Sequence, residues 1–231
     1  MDWTSLIGPA VVAAAVSGVV TTIGFLVNRS TSLTMHQQKL SADRELTERK
    51  VNADIALAEK KLKLDRQLAD WKRRTELAEQ TLADFYKAQD IFAAARQPMS
   101  FGGEGKTRPG RESDGEDVRR HHDTLYAPFE RLTKERDFFA EMQARRFRFM
   151  ALFGNEAGDA FQVFVRSYNR VGVAARALID DRQHLSPDMR TKFESMIGWV
   201  LDEDDPIKLE IDQAVSAMEA ICRPILQTQL E

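Results

Sequence analysis

Three hydrophobic patterns follow one another along this chain. The first is unbroken. From Trp3 to Val27 no side chain is charged, and Asp2 and Arg29 bound the run. A helix needs about 20 apolar residues, each rising ~1.5 Å, to cross a ~30 Å hydrocarbon core. Residues 3–28 are therefore predicted to form a transmembrane helix. A cleaved signal peptide would carry a basic leader and a shorter apolar stretch. A core helix of a soluble protein would show a polar face. The segment has neither feature. Ala10, Ala14, Gly18 and Thr22 recur every four residues. They predict a small-residue face along which two span helices approach closely and self-associate.

The second pattern is charged and helical. After the span no proline occurs before Pro98 and no glycine before Gly102, and good helix formers dominate. Opposite charges sit four apart: Arg44 with Glu48, Glu45 with Arg49, Glu59 with Lys63, Asp70 with Arg74, Lys72 with Glu76. Such pairs support a helix by ~0.2–0.5 kcal/mol each. Residues 29–75 are predicted to be a charged rod. A seven-residue series, Leu57, Leu64, Trp71, Ala78, Phe85 and Phe92, joined by Leu68 and Leu82, forms a coiled-coil seam. Lys61 and Thr75 are its poor positions. Past Glu76 the helix becomes more apolar all round, so its distal end is expected inside a folded module.

The third pattern is a set of amphipathic helices. Residues 76–97 and 115–231 are predicted to form a helical bundle, with 98–114 a flexible, exposed Gly/Pro-rich loop. One helix starts near Glu116 and should kink or break at Pro128. Its line runs Leu125, Phe129, Leu132, Phe139, Met142, Phe149 and Phe153, and Gly154 ends it. The next is capped by Asn155 and runs to about Arg182. Gly172, Ala174 and Ala175 on it predict close approach of a neighbour. Ser186-Pro187-Asp188 opens a helix expected to end near Leu201. Asp205-Pro206 opens the last, Ile207 to about Gln229, kinked at Pro224. No useful stretch alternates with period two, so no β-sheet is expected and the fold class is all-α.

Composition sharpens this picture. With 43% hydrophobic and 30% charged residues, most of the mass belongs in water. The formal net charge of −3 gives no reason to expect a nucleic-acid partner. Residues 29–97 carry about +3 and the part beyond about −5. Arg29, Lys39, Arg44, Arg49 and Lys50 follow the span, whereas only the terminal amine precedes it. Basic residues stay on the cytoplasmic side. The expected topology is N-terminus outside, with the C-terminal bulk cytoplasmic. The lone Cys222 can form no internal disulfide, which agrees with that location.

Candidate chemistry is sparse. Ser100 to Thr107 nearly spells G-x-x-x-x-G-K-[ST], but Ser100 replaces the first glycine and the context is not strand-to-helix. His121, His122 and Asp123 lack the paired Glu-x-x-His that a metal bundle uses. Asp202 to Asp205 read as an acidic helix start, not a calcium loop. Neither cofactor nor metal is expected, and no catalytic motif is found. Arg136, Arg145, Arg146 and Arg148, interleaved with phenylalanines, are the possible anion or ion-pair cluster, with Glu156 and Asp159 as expected acidic partners.

From Trp3 to Gln97 the plan is similar to that of ATP synthase peripheral-stalk b subunits: one span, then a long charged helix that dimerises. The glycine-rich break and bundle depart from that plan, so no function is carried over. The functional expectation is a membrane-anchored, non-catalytic scaffold or adaptor, a homodimer presenting its bundle to a cytoplasmic protein partner. One alternative is an envelope-spanning protein of opposite orientation, as in phage lysis spanins. The other is a ligand-sensing or enzymatic bundle using the arginine cluster.

Overall fold

A computed structural model describes residues 8–180, 184–199 and 205–227. Residues 3–7 of the predicted span, the side chain of Ala10, the expected helix ends at Arg182, Leu201 and Gln229, and the acids Asp202 to Asp204 lie outside them. The protein is all-helical: α1 Pro9–Ala95, α2 Glu116–Lys134, α3 Arg136–Phe153, α4 Ala157–Asp180, α5 Pro187–Met196 and α6 Pro206–Gln227. Among the described residues there is no strand. The chain divides into two compact units, Met1–Leu68 and Ala69–Glu231.

Within the first unit, Pro9 to Leu68 is a single stretch of α1. Every side chain from Val11 to Leu68 is exposed. One helix, near the N-terminus, is therefore long and apolar enough to span a membrane. Its hydroxyls fold back on the helix: Thr21 Oγ1 donates to the Ser17 carbonyl and Thr22 Oγ1 to that of Gly18, each at 2.7 Å. Such bonds satisfy polar groups that hydrocarbon could not. Further along, Glu45 pairs with Arg49.

In the second unit α4 is the helix against which α2, α3, α5 and α6 pack, and the distal part of α1 joins them through one buried face. Ala78, Thr81, Phe85, Ala88, Phe92 and Ala95 recur every three or four residues and are buried. Phe85 meets Phe161 and Phe164 edge-on at 4.9 and 5.1 Å between centroids. Such T-shaped pairs add stabilisation beyond their buried area. Gly172 lets α2 approach α4: a side chain there would lie 2.6 Å from the Phe129 ring. Asp70 and Arg74 pair at 3.0 Å. The pairings Arg44–Glu48, Glu59–Lys63 and Lys72–Glu76 read from the sequence do not close, consistent with the small worth of exposed pairs.

Three boundaries differ from expectation. The helix runs on through Pro128, which is buried within α2, and breaks instead at Glu135. Glu135 leaves helical geometry and its N–H turns back to the Leu132 and Thr133 carbonyls. α5 stops at Met196 rather than near Leu201. Gly198, at φ 86°, donates to the Ser195 carbonyl, and Trp199 to that of Glu194. This is a Schellman stop, in which a left-handed glycine takes up the last carbonyls. α4 begins at Ala157, after the turn in which Gly158 N–H bonds the Asn155 carbonyl. The two remaining starts match their sequence signals. Ser186 accepts from Met189 N–H, and Asp205 accepts from the N–H groups of Ile207 and Lys208.

Candidate functional site

The predicted seam divides at Trp71. Leu57, Leu64 and Leu68 are exposed, and Trp71 is half-buried. Ala78, Leu82 and Phe85 are inside the head, so they face neighbouring helices of their own chain. Any contact with a second copy along this line is confined to residues up to Trp71. Val51, Ile55 and Leu62 are also exposed, on a different side of α1. In the apolar first part of α1, Ala14, Gly18 and Thr22 stand on one open face.

The four arginines do not converge. Arg145 pairs with Asp84 on α1 and has Glu141 at 3.6 Å. The half-buried Arg146 lies beside Phe147 and under Gly158. Arg136 and Arg148 are exposed. No ion pair among the described residues joins any of them to Glu156 or Asp159. The reason is helical phase: these positions lie on different sides of α3, and Arg145 turns towards α1. Asp84, separated by sixty-one positions, was invisible to local reading.

The segment between α1 and α2 is a folded element. Arg131 of α2 reaches back to the carbonyls of Ala95, Gln97 and Met99 and to the Glu104 carboxylate. The Glu104 carboxylate also accepts from Phe101 N–H at 2.9 Å. Arg131 therefore holds Glu104 below its usual carboxylate pKa, assisted by that N–H and opposed by burial. The turn that imitates a phosphate loop carries the chain's own anion: Gly105 N–H and Thr107 Oγ1 both donate to Glu130. Burial alone would raise the Glu130 pKa, but these bonds, with Lys134 nearby, outweigh it and lower it. Gly105, at φ 76°, is required there, because a Cβ would collide with the Asp123 carbonyl.

The histidine cluster belongs to the same network. His122 Nδ1 lies 2.8 Å from Asp114, which also pairs with the buried Arg108. Asp114 is held below its usual pKa by His122 first and Arg108 next. Asp123 receives Arg111 at 2.9 Å. Asp117 is exposed. Among the described residues no three His, Cys, Asp or Glu side chains gather to hold a metal ion. Cys222 is fully buried, and burial pushes its thiol up to about 11, where it is neither a nucleophile nor a ready metal ligand at neutral pH.

Two apolar features remain open. A cleft of about 220 Å³ lies between α3 and α4, lined by Phe139, Ala140, Gln143, Phe164 and Tyr168, with Arg136 at its lip. Met99 and Phe101 project from the pinned segment, each 67% exposed. Sequence reading missed both, although an aromatic in a Gly/Pro-rich stretch was the available signal. No protein-family model, curated protein or solved structure matches this chain.

Proposed function

We propose that this protein is a membrane-anchored scaffold or adaptor, acting as a homodimer that presents its helical head to a cytoplasmic protein partner. The observation that carries this reading is the contrast between the two units. One is a helix exposed from Val11 to Leu68, uncharged up to Asn28, where the Thr21 and Thr22 hydroxyls bond the helix's own carbonyls. The other is a well-packed head whose buried charges engage one another. Arg108, Arg131, Asp114, Asp123 and Glu130 are bound within the network that folds the α1–α2 segment. A group committed in this way is poorly placed to turn over a substrate, which supports a non-catalytic role. The small-residue face of the span and the exposed part of the seam support pairing of two copies. The basic residues after the span support a cytoplasmic head.

The test is affinity purification of the tagged full chain from detergent-extracted membranes, together with a C-terminal reporter fusion. The reading expects a second protein at fixed stoichiometry and reporter activity in the cytoplasm. Recovery of the chain with only its own copies would contradict the adaptor role. Reporter activity on the far side of the membrane would instead establish the envelope-spanning orientation.

A further inference from the structure

We infer that the heads of two copies dock reciprocally, the Phe101 loop of each entering the α3–α4 cleft of the other. This inference rests on the homodimer proposed above and names a contact within it.

The loop is preorganised for insertion. Arg131 binds three successive stretches of its backbone, and Glu104 binds the Phe101 N–H, while Met99 and Phe101 face solvent. Holding two large apolar side chains in water is unfavourable, and a fixed backbone removes most of the ordering cost of docking. Phe, Met and Arg are the residue types enriched where proteins meet.

The cleft fits this occupant in size and charge. At about 220 Å³ it is smaller than the roughly 300–1,000 Å³ typical of small-molecule sites, but has room for an aromatic side chain. Its walls are the rings of Phe139, Phe164 and Tyr168, and Ala140 leaves the opening. Among the described residues Arg136, at the lip, has no ion-pair or side-chain hydrogen-bond partner. The incoming segment offers it the face of the Phe101 ring, a cation–π partner.

Placement also favours a second copy. Arg131 holds the Met99 carbonyl and, two residues on, Thr133 Oγ1 lies 3.2 Å from the Tyr168 hydroxyl of the cleft. Knob and hole hang from the same end of α2. A two-fold axis at that end makes both insertions at once and closes the pair, with no open chain of copies.

The experiment uses full-length chains in native membranes. Two differently tagged copies are co-expressed, one Ser100→Cys and the other Asp137→Cys, both exposed positions beside the knob and the lip. Cys222 is buried and stays out of the oxidation. A separate Leu64→Cys chain reports pairing along α1. The inference expects a disulfide between the two tags that falls at least tenfold when Phe101→Ser is added to the Ser100→Cys copy. It expects a similar fall with Arg136→Glu in the other copy. If Leu64→Cys cross-links and the tagged pair does not, reciprocal docking is wrong and the homodimer stands. If the tagged pair cross-links equally with Phe101→Ser, the knob does not make the contact and the inference is overturned. If neither cross-links, both fall.

Discussion

Arg96 and Asp205 stand 2.8 Å apart across more than a hundred residues of sequence, and the pair is a junction of the head. Arg96 Nε donates to the Met196 carbonyl at 2.9 Å and its Nη2 to that of Ser195 at 2.7 Å. The same Asp205 accepts the first N–H groups of α6. One guanidinium thus closes the end of α5 and fixes the cap of α6. Removing one partner of a buried pair leaves the other charge uncompensated. Arg96→Met is expected to cost about 3 kcal/mol, roughly 6–12 °C in Tm for a domain of this size. Thermal unfolding followed by circular dichroism checks this.

Gly198 sits directly against the same arginine. Its φ of 86° disfavours any L side chain, and a Cβ would strike the Arg96 carbonyl. Gly198→Ala is therefore expected to destabilise the head by more than the ~1 kcal/mol of the backbone term alone. Trp199, the next residue, supplies a fluorescence readout of that unfolding.

Acid should open the α1–α2 segment before the rest of the head. Glu104 and Glu130 both have folded pKa values below the ordinary 4.5. A carboxylate depressed in the folded state stabilises fully above its unfolded pKa. That contribution is lost as pH falls through the folded value. Amide protection in residues 99–114, taken relative to the unstructured-chain exchange rate at each pH, should be unchanged from pH 7 down to about 5, then fall below 4.5. Glu130→Gln should weaken protection at neutral pH and flatten this dependence, since an amide cannot titrate.

Pairing within the membrane is expected to depend on the face containing Ala14, Gly18 and Thr22. Ala14→Leu with Gly18→Leu should keep the chain in the membrane but reduce Leu64→Cys cross-linking several-fold, because bulky side chains hold the backbones apart. The same changes at Ala13 and Val19, on other sides of the helix, should have little effect.

Local chemistry made much of this fold legible. The absence of proline between Pro9 and Pro98 matches one unbroken α1, and the Ser186 and Asp205 starts and the aromatic lines appear where helical periodicity places them. What escaped depended on partners distant in sequence. Pro128 reads as a breaker, but the helix continues through it and the break comes at Glu135. Gly198 was hidden inside the apolar run from Ile197 to Leu201, where it acts as the stop. Arg96 looks like one more surface charge until α5 and α6 fold over it. The arginines of α3 share a stretch of sequence but not a side of the helix. The Gly/Pro-rich segment has loop composition, yet Arg131 and Glu130, both on α2, give it a defined fold.

The account as a whole depends on lipid surrounding the first helix, and alkaline carbonate extraction of membranes carrying the full-length chain tests this most directly. The account predicts that the chain stays in the pellet. It also predicts that Val16→Arg with Val20→Arg, at about 3 kcal/mol per buried charge, releases it into the supernatant. Release of the unaltered chain by carbonate would contradict the account.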